Sequence, residues 1–251
     1  MIEELAGGDS LIHRLDPRVK IVVAFLFSVL VAVSNRFVVL VSALALGFCV
    51  ALLARLSVKQ LLGRLVPVNL FIIFLWFFLP FTLEGKPLFS AGSLVGTREG
   101  VLYAARISIK SNAIMAGLIA LVASTSLSTL GHAMHDLKIP KKLVHLFFFT
   151  YRYIYVIHEE YLRLVGAMKV RGFRPGTNMH TYRSFAYLVG MLLVRSSDRA
   201  ERVHNAMLCR GFTGNLYSLS AFSLKSYDVV SLIVMLVFIL VLGVLEWTRM
   251  V

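Results

Sequence analysis

The side chains that could do chemistry are few and lie close together in the sequence. His132, His135 and Asp136 fall at i, i+3 and i+4, which on a helix places two imidazoles and a carboxylate on one face. Imidazole and carboxylate suit divalent transition metals. Such a set is the barest that a metal site uses, and isolated histidines are more often plain surface groups, so no metal ligand is assigned. The run Glu159-Glu160-Tyr161-Leu162-Arg163 falls one residue short of the Glu-Glu-x-x-x-Arg pattern of a membrane protease family. A glycine-rich phosphate loop, a Gly-x-Ser-x-Gly elbow and a His-Glu-x-x-His helix are all missing from the sequence. The chain is therefore expected to be no enzyme. It has no assigned catalytic residue and no cofactor of its own, and any ATP hydrolysis falls to a partner.

The sharper signal is a repeat. Ala167-Met168-Lys169-Val170-Arg171-Gly172-Phe173 and Ala206-Met207-Leu208-Cys209-Arg210-Gly211-Phe212 agree at five of seven positions, 39 residues apart. An arginine in the last turn complements the helix dipole, a glycine just past the end takes the left-handed conformation, and a following apolar residue packs back. Those rules explain Arg-Gly-Phe but do not ask for Ala-Met at a fixed distance before it. Two readings stand: helix caps alone, or caps that also form two equivalent docking points.

Such ends need helices to carry them, and composition sets where those helices lie. Of the 251 residues, 58% are hydrophobic and only 16% charged, yet Lys and Arg outnumber Asp and Glu by 26 to 13. Soluble domains average about 25% charged residues. A basic but apolar chain excludes a disordered segment and a free-standing nucleic-acid binder, and points to an integral membrane protein with one basic side. Cys49 and Cys209 follow no ligand spacing and are expected to stay unpaired. No removable signal peptide is expected, because the first apolar run begins only at Val19.

Five segments are read as able to span a bilayer, which takes about 17–25 mostly apolar residues. They are Val19–Ser34, Phe37–Ala54, Leu65–Phe81, Val101–Ser124 and Val229–Trp247. The expected fold is thus an all-α integral membrane protein with about five transmembrane helices plus long cytoplasmic helices. Its parts are an N-terminal membrane region of four spans (1–124), a cytoplasmic helical region (125–228) and a C-terminal span (229–251). With the N-terminus cytoplasmic, 20 of the 26 basic residues fall inside; Arg36, Lys86, Arg98 and Arg249 fall outside, with Arg106 and Lys110 near the outer surface. In Leu15-Asp16-Pro17-Arg18, Asp16 reads as an N-cap and Pro17 as the first helical residue.

The region from Thr125 to Asp228 carries 14 basic and 6 acidic residues and breaks its apolar runs with Lys142 and Arg152. Runs that short suit buried or interfacial helices rather than spans. Two long helices are expected at about Lys141–Val170 and Tyr182–Cys209, at or under the cytoplasmic surface, with half-insertion as the alternative. On the second, Arg195, Arg199, Arg202 and Arg210 form a stripe, with Asp198 placed to pair with Arg202. The stripe faces either anionic lipid or an acidic groove on a partner.

With these residues in view, the chain resembles the transmembrane coupling subunits of energy-coupling-factor (ECF) transporters, above all the cobalt-type CbiQ. The likeness rests on Leu11-Ile12-His13-Arg14-Leu15-Asp16-Pro17-Arg18-Val19-Lys20, on the cytoplasmic helical block and on the two Arg-Gly ends. It implies a non-catalytic subunit of an ATP-driven metal importer in a bacterial or archaeal cell membrane, with cobalt as cargo for cobalamin biosynthesis. Two CbiO-like ATPases would each accept one helix end, through Ala167, Val170, Arg171 and Gly172 and through Ala206, Cys209, Arg210 and Gly211. Val170 and Cys209 stand where the family usually has alanine. Leu137-Lys138-Ile139-Pro140 resembles the family's entry into the coupling layer, and Arg152 and Glu160 match it more loosely. The other implied partners are a CbiM-like substrate-binding membrane subunit, a small CbiN-like subunit and the bilayer, with no nucleic acid. The rival reading is a self-sufficient divalent metal channel or carrier. Ionisable residues mark transport paths, and the spans hold almost none beyond Arg106 and Lys110.

Overall fold

A computed structural model describes residues 10–83, 85–91, 94–214 and 226–248. The elements are α1 (Leu11–Arg14), α2 (Pro17–Val33), α3 (Phe37–Leu53), α4 (Val58–Thr82), β1 (Pro87–Ala91), β2 (Leu94–Thr97), α5 (Arg98–Leu121), α6 (Leu127–Asp136), α7 (Lys141–Val170), α8 (Met179–Cys209) and α9 (Ser226–Trp247). They form two compact units, Met1–Ala133 with Phe222–Val251, and Met134–Ala221.

The first unit is a bundle built around α5, which packs against α2, α3 and α4. Small residues make that close approach possible. Ala113, Ala116, Gly117 and Ala120 are buried along one face of α5. A Cβ at Gly117 would lie 2.7 Å from the Phe27 ring, and one at Gly47 would lie 3.1 Å from the Ala113 carbonyl oxygen. Apolar residues have no hydrophobic reason to leave lipid for one another, so helices in a bilayer gain by such close contact and by interhelical hydrogen bonds. Both devices occur here. Asn69 and Asn112 exchange amide hydrogen bonds of 3.0 and 2.9 Å between α4 and α5, and Trp76 Nε1 donates to Ser108 Oγ at 2.8 Å.

Helices α4, α5 and α9 are long and apolar enough to cross a membrane. Within their apolar windows α4 and α9 bury only 17% of positions against 39% for α5, which identifies α5 as the central helix. Helices α2 and α3 are 17 residues each. At about 1.5 Å per residue that gives about 26 Å, near the lower limit for a span. Between α4 and α5 the chain forms an antiparallel hairpin, β1–β2, a small addition to the expected all-α fold. It is anchored by Thr97, whose hydroxyl caps α5 by accepting from Gly100 N and donates to the Leu83 carbonyl at 2.8 Å.

The entry to α2 is as expected, and more. Asp16 caps the helix by accepting from Arg18 N at 2.9 Å, with Pro17 in the first position. The sequence reading stopped at a capped helix beside interfacial cations. Lys20, counted there as an interfacial charge, is instead 1% exposed. Its Nζ donates to the His13 carbonyl at 3.3 Å and to Thr125 Oγ1 at 3.2 Å. The carboxylates of Asp16 and Asp228 act on it electrostatically, and Asp228 Oδ1 accepts from Asp16 N at 2.9 Å. The node joins the start of α2, the end of α5 and the start of α9. Removing one partner from a buried charge cluster costs about 3–5 kcal/mol. Lys20→Met should therefore lower the thermal midpoint of the solubilised chain sharply, and a midpoint within error of the wild type would refute a structural role for the lysine.

Candidate docking site on two long helices

The second unit is dominated by α7 and α8. Helix α7 begins after Pro140, which holds the N-cap position without a side-chain hydrogen bond, and runs to Val170 as expected. Helix α8 begins at Met179, three residues before the expected Tyr182, because the Asn178 carboxamide oxygen accepts from Thr181 N at 2.9 Å. An Asn cap three residues ahead of a hydroxyl is a readable start signal that apolar periodicity alone passes over.

Both helices end in the same motif. At the end of α7, Phe173 N donates to the Met168 carbonyl at 3.1 Å and Gly172 N to the Lys169 carbonyl at 3.0 Å. At the end of α8, Phe212 N donates to Met207 at 3.0 Å and Gly211 N to Leu208 at 2.9 Å. These are Schellman ends, and their glycines sit at φ +79° and +77°, where a side chain would be strained. In that motif the third residue from the end ordinarily touches the second residue past it. Those residues are Met168 with Phe173, and Met207 with Phe212, all partly buried. An apolar methionine suits that position of the cap. What the cap leaves over is the alanine and the arginine. Ala167, Arg171, Ala206 and Arg210 are exposed, as are Val170, Gly172, Cys209 and Gly211.

The two ends lie far apart. Phe173 rests on Phe185 with ring centroids 5.8 Å apart, beside the turn between the helices. Phe212 rests on His145, near the start of α7, at 6.4 Å. The helices thus run antiparallel, and their C-termini mark opposite extremes of the pair. His145 and Arg171 are 26 residues apart on one helix. At about 1.5 Å per residue the two ends are about 40 Å apart.

Midway, one carboxylate ties the helices together. Glu160 on α7 bonds Arg195 on α8 and lies 3.9 Å from Arg199 and 3.7 Å from Arg163. Its side chain is 13% exposed. The Arg195 hydrogen bond, helped by the charges of Arg195, Arg163 and Arg199, holds this carboxyl below its ordinary range. A depressed carboxyl pKa stabilises above the unfolded value of about 4.3 and fades only as pH falls through the lower folded value. The tie is therefore complete throughout the neutral range.

This arrangement corrects one expectation, the pairing of Asp198 with Arg202. Arg195 and Arg199 are engaged with Glu160, while Asp198 makes no ion pair with Arg202 among the described residues. Arg152 lies exposed over the neighbouring Tyr153 ring at 5.9 Å. His135 Nδ1 lies 3.4 Å from Asp136 Oδ1, and among the described residues no group of three His, Cys, Asp or Glu side chains is set to hold a metal.

Residues 8–219 match the family CbiQ, described as cobalt transport protein. The energy-coupling factor transporter transmembrane protein EcfT of Brevibacillus brevis is 26% identical over 269 aligned residues, which cover 99% of this chain and 97% of that protein. The EcfT of Staphylococcus aureus is 27% identical over 253 residues, covering 96% and 94%. That of Thermosediminibacter oceani is 26% identical over 223 residues, covering 85% and 84%.

Proposed function

Because the chain belongs to the CbiQ family of cobalt transport proteins, we propose that it is the transmembrane coupling subunit of an ATP-driven ECF-type importer, with cobalt as the cargo. Two CbiO-like ATPase subunits each receive one helix end, with Arg171 in one groove and Arg210 in the other. When the ATPases close and open, α7 and α8 move as levers and act on a separate CbiM-like substrate-binding subunit, with or without a small CbiN-like companion. The chain itself hydrolyses nothing. It crosses the cell membrane several times, with its N-terminus and its long helices on the cytoplasmic side.

The observation that carries this reading is the pair of matching Schellman ends about 40 Å apart at opposite extremes of one antiparallel helix pair. A single small partner has no use for two identical contacts so widely spaced. Two like partners, or a dimer of them, do. The Glu160 tie adds to it, since a lever must be braced where its arms meet.

The direct test is isolation of the tagged chain from gently solubilised membranes, with identification of what accompanies it. Two ATP-binding-cassette subunits and one further membrane subunit are expected. Recovery of the chain alone, importing cobalt by itself after reconstitution into vesicles, would overturn the reading in favour of a self-sufficient carrier.

A further inference from the structure

At the end of α2 remote from Lys20, three helix ends meet in a small polar cluster. Arg36 donates through one terminal nitrogen to the Leu245 carbonyl at 2.9 Å, which closes the end of α9. Lys110 Nζ donates to the Ala32 carbonyl at 2.9 Å and to Asn35 Oδ1 at 3.2 Å, which closes the end of α2. Glu246 accepts from Asn35 N through Oε1 at 2.9 Å. Two of the three cations are thus occupied with helix ends, and one carboxylate is occupied with a backbone amide.

Two atoms of the cluster are buried without a hydrogen-bond partner, Glu246 Oε2 and one nitrogen of Arg106. Among the described residues the Arg106 guanidinium makes no hydrogen bond and no ion pair; Nε is buried without a partner, and Cζ lies 5.3 Å from the centre of the Phe37 ring. It borders a cleft of about 610 Å3 that Arg36, Phe37, Val38, Leu245 and Thr248 also line. The first turn of α3 opens on the same cleft, and no side chain caps it. Two cations lining the cleft, Arg36 and Arg106, and a helix N-terminus without a side-chain cap make this an anion-seeking site.

A second, apolar cleft of about 550 Å3 lies between α3 and α9, bordered by Ala45, Leu46, Cys49, Phe238 and Leu242. Leu245 lines both clefts, which places them side by side. Along α9 the apolar cleft extends from Leu245 back to Val234. At about 1.5 Å per residue that is about 17 Å, roughly one leaflet of a hydrocarbon core about 30 Å thick. A charged mouth at the level of helix ends, beside an apolar slot one leaflet deep, has the shape of a phospholipid.

We propose that this end of the first unit holds one membrane phospholipid. Its phosphate is gripped by the forked guanidinium of Arg106 and the first turn of α3, and an acyl chain lies in the slot between α3 and α9. The two free oxygens of a phosphodiester match the two parallel N–H groups that a guanidinium presents. The inference needs only that this unit sits in a bilayer, and it stands apart from any role of the long helices.

The test is native mass spectrometry of the full chain, delipidated and then returned to nanodiscs. The lipids are phosphatidylglycerol, phosphatidylcholine or phosphatidylcholine doped with diacylglycerol, and inorganic phosphate is a separate arm. One phospholipid retained per chain is expected, with retention falling more than tenfold in Arg106→Gln and partly restored in Arg106→Lys. Ala45→Trp, which fills the exposed slot without touching the core, should lower retention by a similar factor, and it carries the test if Arg106→Gln fails to fold. Equal retention by the Arg106→Gln chain or equal retention of diacylglycerol would overturn the proposal. So would displacement of the lipid by millimolar inorganic phosphate, which would make this a site for a free anion.

Discussion

Replacing Arg171 and Arg210 together with glutamate is expected to strip the ATPase subunits from the purified chain and abolish ATP-driven uptake, while the chain still inserts and folds. The local cost is small. The Schellman bonds run between backbone atoms, Phe173 N to Met168 and Phe212 N to Met207, and do not involve the arginine side chains. Reversing a charge in an exposed last turn forfeits only about 0.3–1 kcal/mol of dipole interaction. At a contact the balance is different. A charge seated among opposite charges in a partner's groove, once reversed, leaves that groove unpaired, which costs about 3–5 kcal/mol. Each end then loses on the order of a hundredfold or more in affinity, since 1.4 kcal/mol is tenfold. Single replacements should leave one ATPase attached through the other end. Co-purification of both ATPases at wild-type yield with the doubly reversed chain would end the docking proposal.

Glu160→Gln should have the opposite phenotype: ATPases stay bound and hydrolyse ATP, but uptake per ATP falls tenfold or more. The change preserves volume and removes the one negative charge shared by Arg163, Arg195 and Arg199. Arg195 and Arg199, left without a counter-charge while Arg163 keeps Glu159 at 3.8 Å, push α7 and α8 apart at the point where the levers are braced. Both docking ends lie well away from it, about 16 Å along α7 from Glu160 and about 22 Å along α8 from Arg195. Coupling between distant sites ordinarily amounts to about 5–150-fold, which sets the scale of the loss. The measurement is cobalt uptake and phosphate release in the same vesicles. A parallel fall in both, with the ratio unchanged, would assign Glu160 to docking instead.

How far the sequence could be read follows from how local each signal is. Helix α7 was legible to the residue because Pro140 and Gly172 bracket it, and both act through their own backbone. The start of α8 was not, since its apolar run begins later than its Asn178 cap. The repeated helix ends were visible at once, because each cap acts through its own backbone. Glu160 stood out only by resemblance, because its partners Arg195 and Arg199 lie 35 and 39 residues on, and the stripe they form looks the same whether it faces a partner or its own neighbour. Lys20 was misjudged for the same reason. A lysine at a helix entry reads as a surface charge until the structure brings Thr125 and Asp228 to it. The β1–β2 hairpin gave no sequence cue strong enough to separate it from a connection.

That last lysine also bears on how the protein is made. Asp16 and Asp228, which share its pocket, are 212 residues apart. A ribosome adding about 5–20 residues per second therefore leaves the entry of α2 unfinished for roughly ten to forty seconds. Through that interval the Lys20 cation waits for part of its counter-charge, and the start of α2 has no fixed seat. A chain broken off before α9 never acquires one. The node thus distinguishes whole chains from fragments by chemistry alone, since a fragment keeps an unmatched charge and a loose N-terminal segment for surveillance proteases to find.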